Sequence, residues 1–169
     1  MSAAEDLLDL CRARAMKICC AESLTGGLLA DAFVSVPGAS DTYRGSVNTY
    51  AVDSKVSILG VSSEWLAAHG PVNSFTAESM ALGALRLFGC DGEGLNEEQS
   101  GIALSTTGVA GPGPDGDIPA GTVFLGCALS DGSVQTRECH FSGGRAEVRR
   151  KAVEAALDLG LSALREARS

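Results

Sequence analysis

The chain is short of aromatic rings and of imidazoles: Phe, Trp and Tyr make up 5% of its 169 residues, and there are only 2 histidines. The first shortage excludes a core built on large rings, so small aliphatic side chains must do the packing. The second leaves His69 and His140 as the only imidazole bases for the whole chain. Each falls at an element end or inside a strand, outside any glycine-bounded turn, and both are read as structural or surface groups. Basic charge is also in deficit. Lys and Arg number 13 against 21 Asp and Glu, a net charge of -8, which argues against nucleic acid because binding it depends on clustered cations. No stretch approaches the ~18 apolar residues that span a bilayer. Residues 1–15 carry Glu5, Asp6, Asp9, Arg12 and Arg14 and so lack the apolar core of a signal peptide. A cytoplasmic protein with no membrane partner is expected. The 6 cysteines, Cys11, Cys19, Cys20, Cys90, Cys127 and Cys139, contain no Cys-x-x-Cys pair. Neighbouring Cys19 and Cys20 in a strand would face opposite sides, so buried reduced thiols are expected, with no metal site and no cofactor.

What remains is ordinary globular composition, 45% hydrophobic and 20% charged, in a length that suits one domain over residues 1–169. Leu7, Leu8, Leu10, Cys11 and Ala15 predict an amphipathic helix over 3–15. Residues 17–21 read as a buried strand, 28–34 as a helix and 44–50 as a strand. Asp53 is the predicted N-cap of a helix over 54–59, and Ser63 that of a helix over 64–69. A longer helix is predicted over 75–88, then an acidic surface loop over 90–100. A strand over 102–107 feeds a glycine-rich loop. Strands over 122–129 and 133–141 flank Asp131-Gly132, a type I′ hairpin signal. The chain ends in a long helix with Val148, Ala152, Ala155, Leu159 and Ala163 as its apolar stripe. Strands alternating with helices give an α/β three-layer domain, and the hairpin makes its sheet mixed.

Three clusters carry chemistry. In Ala21-Glu22-Ser23-Leu24-Thr25-Gly26-Gly27, Ser23 falls where a strand end meets a helix start. It is either a helix N-cap or a nucleophile. Lys55, in the first turn of a helix, is either a solvated cation or, partly buried beside Tyr50, a neutral base for Ser23. Amides around Thr25, Gly26 and Gly27 would then stabilise an oxyanion. The loop Gly108-Val109-Ala110-Gly111-Pro112-Gly113-Pro114-Asp115-Gly116, after Thr107, lacks the P-loop and dinucleotide patterns. It is either a tight connection or a phosphate cradle. Arg145, opening the last helix, is either a surface residue or a bidentate phosphate contact.

These motifs, with Tyr43-x-Gly45, Leu59-Gly60-Val61, His69-Gly70-x-Val72, Pro119-x-Gly121-Thr122-Val123 and Phe141-x-Gly143-x-Arg145-x-x-Val148-Arg149, resemble the C-terminal domain of the competence/damage-inducible protein CinA. The resemblance implies an α/β/α sandwich with a mixed, mostly parallel five-stranded sheet. It also implies a nicotinamide-nucleotide amidase, a hydrolase that deamidates nicotinamide mononucleotide in pyridine-nucleotide recycling. By motif position Ser23 is then the nucleophile, Lys55 its base and Tyr50 an assisting group. Substrate contacts are expected from Thr25, Gly26, Gly27, Thr107, Gly108, Ala110, Gly111 and Arg145. Family members associate, so a homo-oligomer is expected. A catalytically silent nucleotide-binding module of the same fold is the rival reading. The chain departs from common family residues at Ser46, Ala51, Val52 and Gly144.

Overall fold

The computed structural model describes residues 2–92 and 100–167, so most of the acidic loop expected over 90–100 lies outside the described residues. Helix α1 (Ala3–Ala13) starts from a reciprocal capping box between Ser2 and Glu5. It is followed by β1 (Lys17–Glu22), α2 (Leu28–Val34), a short 3₁₀ turn and β2 (Tyr43–Asn48). Helices α3 (Val52–Leu59), α4 (Ser63–His69) and α5 (Ser74–Leu87) then lead to β3 (Gly101–Gly108). The chain finishes with β4 (Thr122–Leu129), β5 (Val134–His140) and α6 (Arg145–Glu166).

The five strands form one sheet in the order β2-β1-β3-β4-β5. β1 pairs in parallel with β2 and β3, while β4 runs antiparallel to both β3 and β5. Four of the five strands therefore point one way, and the mixed, mostly parallel sandwich expected from the sequence is the architecture observed.

The strands' side chains divide between two cores. Ile18, Cys20, Ile102, Leu104, Val123, Leu125 and Cys127 meet α1, α2 and α6. On the other face, Cys19, Ala21, Ala103 and Ala128 meet α3, α4 and α5. This second face is made of small residues, so α5 lies close against the sheet. A Cβ added at Gly126 would stand 2.4 Å from the Ala77 carbonyl oxygen, which also accepts a hydrogen bond from Ser105 Oγ at 2.5 Å. The scarcity of aromatic rings is thus answered by close approach of a helix to a smooth sheet face. The α6 stripe is wider than predicted: Ala156, Leu157 and Gly160 are buried, while Ala155 is only half-buried.

Four local expectations are corrected. β2 stops at Asn48, before Thr49 and Tyr50. Ala51, extended at φ -73° and ψ 144°, caps α3 without a side-chain bond, so Asp53 lies inside the first turn. The cap of α4 is Ser62, whose hydroxyl accepts from the Trp65 amide, and not Ser63. The β4–β5 turn is not type I′, which needs positive φ at both central residues. Gly132 N–H bonds Leu129 O, and Gly132 at φ 89° takes the left-handed position, whereas Ser130 and Asp131 do not have positive φ. All six cysteines are free; five are buried and Cys139 is half-buried. Among the described residues no helix is long and apolar enough to cross a membrane.

Candidate active site

The parallel strands β1 and β3 end side by side, and their carboxyl ends open onto one cavity, as ligand sites do in open α/β sheets. The first residue to fix its shape is Glu22, which closes β1 and is 0% exposed. Its carboxylate accepts from Thr25 Oγ1 at 2.7 Å, Ser46 Oγ at 2.8 Å, the Gly27 and Ala30 amides at 3.0 Å and the Leu29 amide at 3.1 Å. A buried anion thus satisfies the orphan amides at the start of α2 and draws the chain into a tight wrap. Ser46 contributes one of those bonds. Thr25 spends its proton on Glu22, so Thr106 Oγ1, 2.8 Å away, donates to Thr25 and in turn accepts from the Ser23 amide at 3.3 Å.

This wrap corrects the expectation that Thr25, Gly26 and Gly27 face substrate. The Thr25 hydroxyl is consumed between Glu22 and Thr106, the Gly26 amide bonds Ser23 O, and the Gly27 amide bonds Glu22. Gly26 is needed for backbone reasons: its φ is +55°, and a Cβ there would come within 3.3 Å of the Arg149 guanidinium.

The wrap presents Ser23 to Lys55. Lys55 is 1% exposed, and its Nζ donates to Ser23 Oγ at 3.0 Å and to the Thr49 carbonyl. The early end of β2 is what leaves Thr49 O free for that bond. No carboxylate pairs with Lys55 among the described residues, and burial lowers its pKa from 10.5 to about 8. Burial thereby favours the neutral amine relative to an exposed lysine, and the hydrogen bond to Ser23 gives a proton a direct path between the two groups. His69 packs against Trp65 with the rings tilted by 37° and His140 pairs with Glu138 at the surface, so neither imidazole serves this serine.

Ser23 and Lys55 open onto a cavity of about 200 Å³ that Tyr50, Ala110, Asp115 and Arg145 also line. Arg145 Nη1 donates to Gly111 O at 2.7 Å and Nη2 to the Tyr50 hydroxyl at 3.1 Å. Tyr50 is 65% exposed, at the rim. Its hydroxyl accepts from Arg145, and among the described residues it makes no hydrogen bond with Ser23 or Lys55, whose cavity it shares. Thr107 and Gly108 line the cavity too, but each has a structural task. The Thr107 hydroxyl donates to Pro71 O at 2.7 Å, and a Cβ at Gly108 would lie 2.7 Å from Thr122 O. Gly111 contributes its carbonyl to Arg145. The loop is held by Val109 N–H to Thr122 O, Gly121 N–H to Val109 O and a reciprocal pair between Asp115 and Ile118. The first turn of α6, 22 residues long, begins at this loop and adds its positive end to the Arg145 charge.

Glu22 and Arg149 enter the sequence reading only as motif members, and the structure gives them defined work. Arg149 donates from Nε to Leu24 O at 2.8 Å and from Nη2 to Thr25 O at 2.9 Å. Its spacing from Arg145 was the available signal, since residues four apart share a helix face. For Glu22 the signal was an acid in an otherwise apolar strand end, which must find partners when buried.

The chain is thus a small three-layer α/β domain with a buried Ser23–Lys55 hydrogen bond at its strand ends. Residues 1–164 match the CinA C-terminal domain, and the chain belongs to that family. It is 44% identical to a CinA-like protein of Frankia casuarinae over 153 residues, covering 90% of this chain and 33% of that protein. It is 39% identical to a putative competence-damage inducible protein of Lacticaseibacillus casei, covering 96% of this chain and 37% of that one. The chain thus spans about a third of the length of these relatives. Among solved structures, the competence damage-inducible protein A of Klebsiella pneumoniae superposes with a TM-score of 0.86 at 31% identity, covering 99% of this chain and 100% of that one. The competence/damage inducible protein CihA of Agrobacterium tumefaciens gives 0.84 at 32%, with coverage of 97% and 94%.

Proposed function

We propose that this chain is a nicotinamide-nucleotide amidase that hydrolyses nicotinamide mononucleotide to nicotinic acid mononucleotide and ammonia. The observation that carries this reading is the 3.0 Å bond between Lys55 Nζ and Ser23 Oγ, in a cavity that also holds the Arg145 guanidinium. Neutral Lys55 takes the Ser23 proton as Oγ attacks the carboxamide carbon. The resulting ammonium returns that proton to the departing nitrogen, releasing ammonia and leaving an acyl ester on Ser23. Lys55 then deprotonates a water that attacks the ester, and the nicotinate product leaves as Ser23 regains a proton. Arg145 and the amides opening α6 take the 5′-phosphate at the far side of the cavity, which fixes the ring over Ser23.

The phosphate assignment is tested by Arg145→Ala. A charge-assisted contact is worth roughly 1.5–3 kcal/mol, so kcat/KM on nicotinamide mononucleotide is expected to fall about 10- to 150-fold, with little change on the riboside. Equal losses on both substrates would take the phosphate away from Arg145.

A pH profile tests the base. With the Lys55 pKa lowered by burial to about 8, about a tenth of the amine is neutral at pH 7. Turnover is therefore expected to rise with pH through about 8 and then level off. A rate that is flat across that window, or that falls, contradicts an amine base.

A further inference from the structure

Acyl transfer through Ser23 develops negative charge on the carboxamide oxygen, and the Gly26 and Gly27 amides that the sequence pointed to for it are spent on Ser23 O and Glu22. Two amides in the same turn are not. The N–H groups of Leu24 and Thr25 have no hydrogen-bond partner among the described residues, although Leu24 is 3% and Thr25 0% exposed. More than nine in ten buried backbone amides are paired; of these two exceptions Leu24 lines the cavity beside Ser23 and Thr25 does not, so the Leu24 amide is the one a ligand atom can reach.

The peptide planes around them are held from both ends. A trans peptide carries its N–H opposite its carbonyl. The Gly26 N–H to Ser23 O bond at 3.2 Å fixes the Ser23–Leu24 peptide and with it the Leu24 N–H. The bond from Arg149 Nε to Leu24 O fixes the Leu24–Thr25 peptide and turns the Thr25 N–H away from Arg149. Arg149 Nη2 on Thr25 O locks the next peptide in the same sense. Gly26 completes the arrangement, because any side chain there would press on this guanidinium.

We infer that the Leu24 amide is an oxyanion-hole donor of this site, and that Arg149, by gripping Leu24 O and Thr25 O, is the positioning residue that holds its turn in place. Leu24 itself lines the cavity beside Ser23. The planar fork of arginine reaches two successive carbonyls at once, which a lysine ammonium cannot do with the same fixed geometry. The inference rests on Ser23 acting as the nucleophile of the proposed function, but not on the identity of the substrate.

A substrate-independent probe therefore tests it. An alkyl fluorophosphonate forms a bond from Ser23 Oγ to phosphorus, expels fluoride and passes the serine proton to Lys55, placing its phosphoryl oxygen in the hole. Losing one such donor costs about 10²–10³-fold. Folded Arg149→Lys is expected to label about 10- to 100-fold more slowly than wild type, and millimolar methylguanidinium is expected to restore much of the rate in Arg149→Ala. Leu24→Pro removes one N–H at the second position of the turn, where proline fits, and is expected to label at least about 100-fold more slowly. On nicotinamide mononucleotide, Arg149→Lys should lower kcat with KM nearly unchanged. Labelling of Arg149→Lys or Leu24→Pro within twofold of wild type overturns the inference, as does a wild type that does not label. If labelling falls as expected while nicotinamide mononucleotide is not turned over, the hole stands and the substrate reading fails.

Discussion

Alanine at Ser23 or at Lys55 is expected to lower turnover by at least about a thousandfold, and the double variant to be scarcely slower than either. In the proposed mechanism the two side chains serve a single proton transfer, so once one is gone the other has nothing left to do. Their 3.0 Å bond is the only polar contact that Ser23 Oγ makes among the described residues. In that mechanism, removing Lys55 also removes the nitrogen that protonates the leaving group. Folding should survive in each case: Ser23→Ala deletes one hydroxyl, and Lys55→Ala removes a desolvated cation that has no counter-charge among the described residues. Steady-state rates with circular dichroism on the same samples check this. Losses that add independently would mean that the two residues only shape the pocket.

Glu22 is expected to give the largest loss of stability. Glu22→Ala withdraws the acceptor from five donors, three of them amides of the α2 entry. Stranding buried donors costs about 1–3 kcal/mol each before relaxation. Water can enter the space vacated, so a net loss of about 3–5 kcal/mol is expected, the range for breaking a buried charge network. Glu22→Gln should lose less, because one amide oxygen still accepts, but its NH₂ must face donors. Urea midpoints at constant slope measure both. A midpoint for Glu22→Ala equal to that of wild type would mean that the turn does not depend on this carboxylate. Turnover should fall with stability in this variant, since the carboxylate holds the turn that presents Ser23.

Much of this was legible in the chain itself because the signals were local. Apolar patterning together with cap and glycine signals locates each α-helix and strand of the described residues to within a few residues, but not the 3₁₀ turn Ala39–Asp41, and the hairpin requires a mixed sheet. Ser23, Lys55 and Arg145 were each singled out from position and charge, and the structure gathers them around one cavity. The misreadings concern partners that no window shows. Asp53 is a favoured cap residue, but the extended backbone at Ala51 starts α3 two residues earlier. Gly26 and Gly27 looked like donors to a ligand, yet a buried carboxylate one residue before Ser23 claims the Gly27 amide and the turn itself claims that of Gly26. Arg149, distant in sequence, grips the same turn from α6. Tyr50 was placed beside Lys55 by its nearness in sequence. Tyr50 does line the cavity with Lys55, but its one hydrogen bond among the described residues is with Arg145.

The central claim is that this Ser–Lys pair cleaves the carboxamide of a pyridine nucleotide. Its most direct test is ammonia release from nicotinamide mononucleotide by the purified chain and by Ser23→Ala, with the nucleotide product identified by mass. The account predicts steady release by the wild type, one nicotinic acid mononucleotide per ammonia, and none from Ser23→Ala. Nucleotide that binds without any ammonia appearing would instead describe a silent binding module, and equal release by both proteins would contradict Ser23 as the nucleophile.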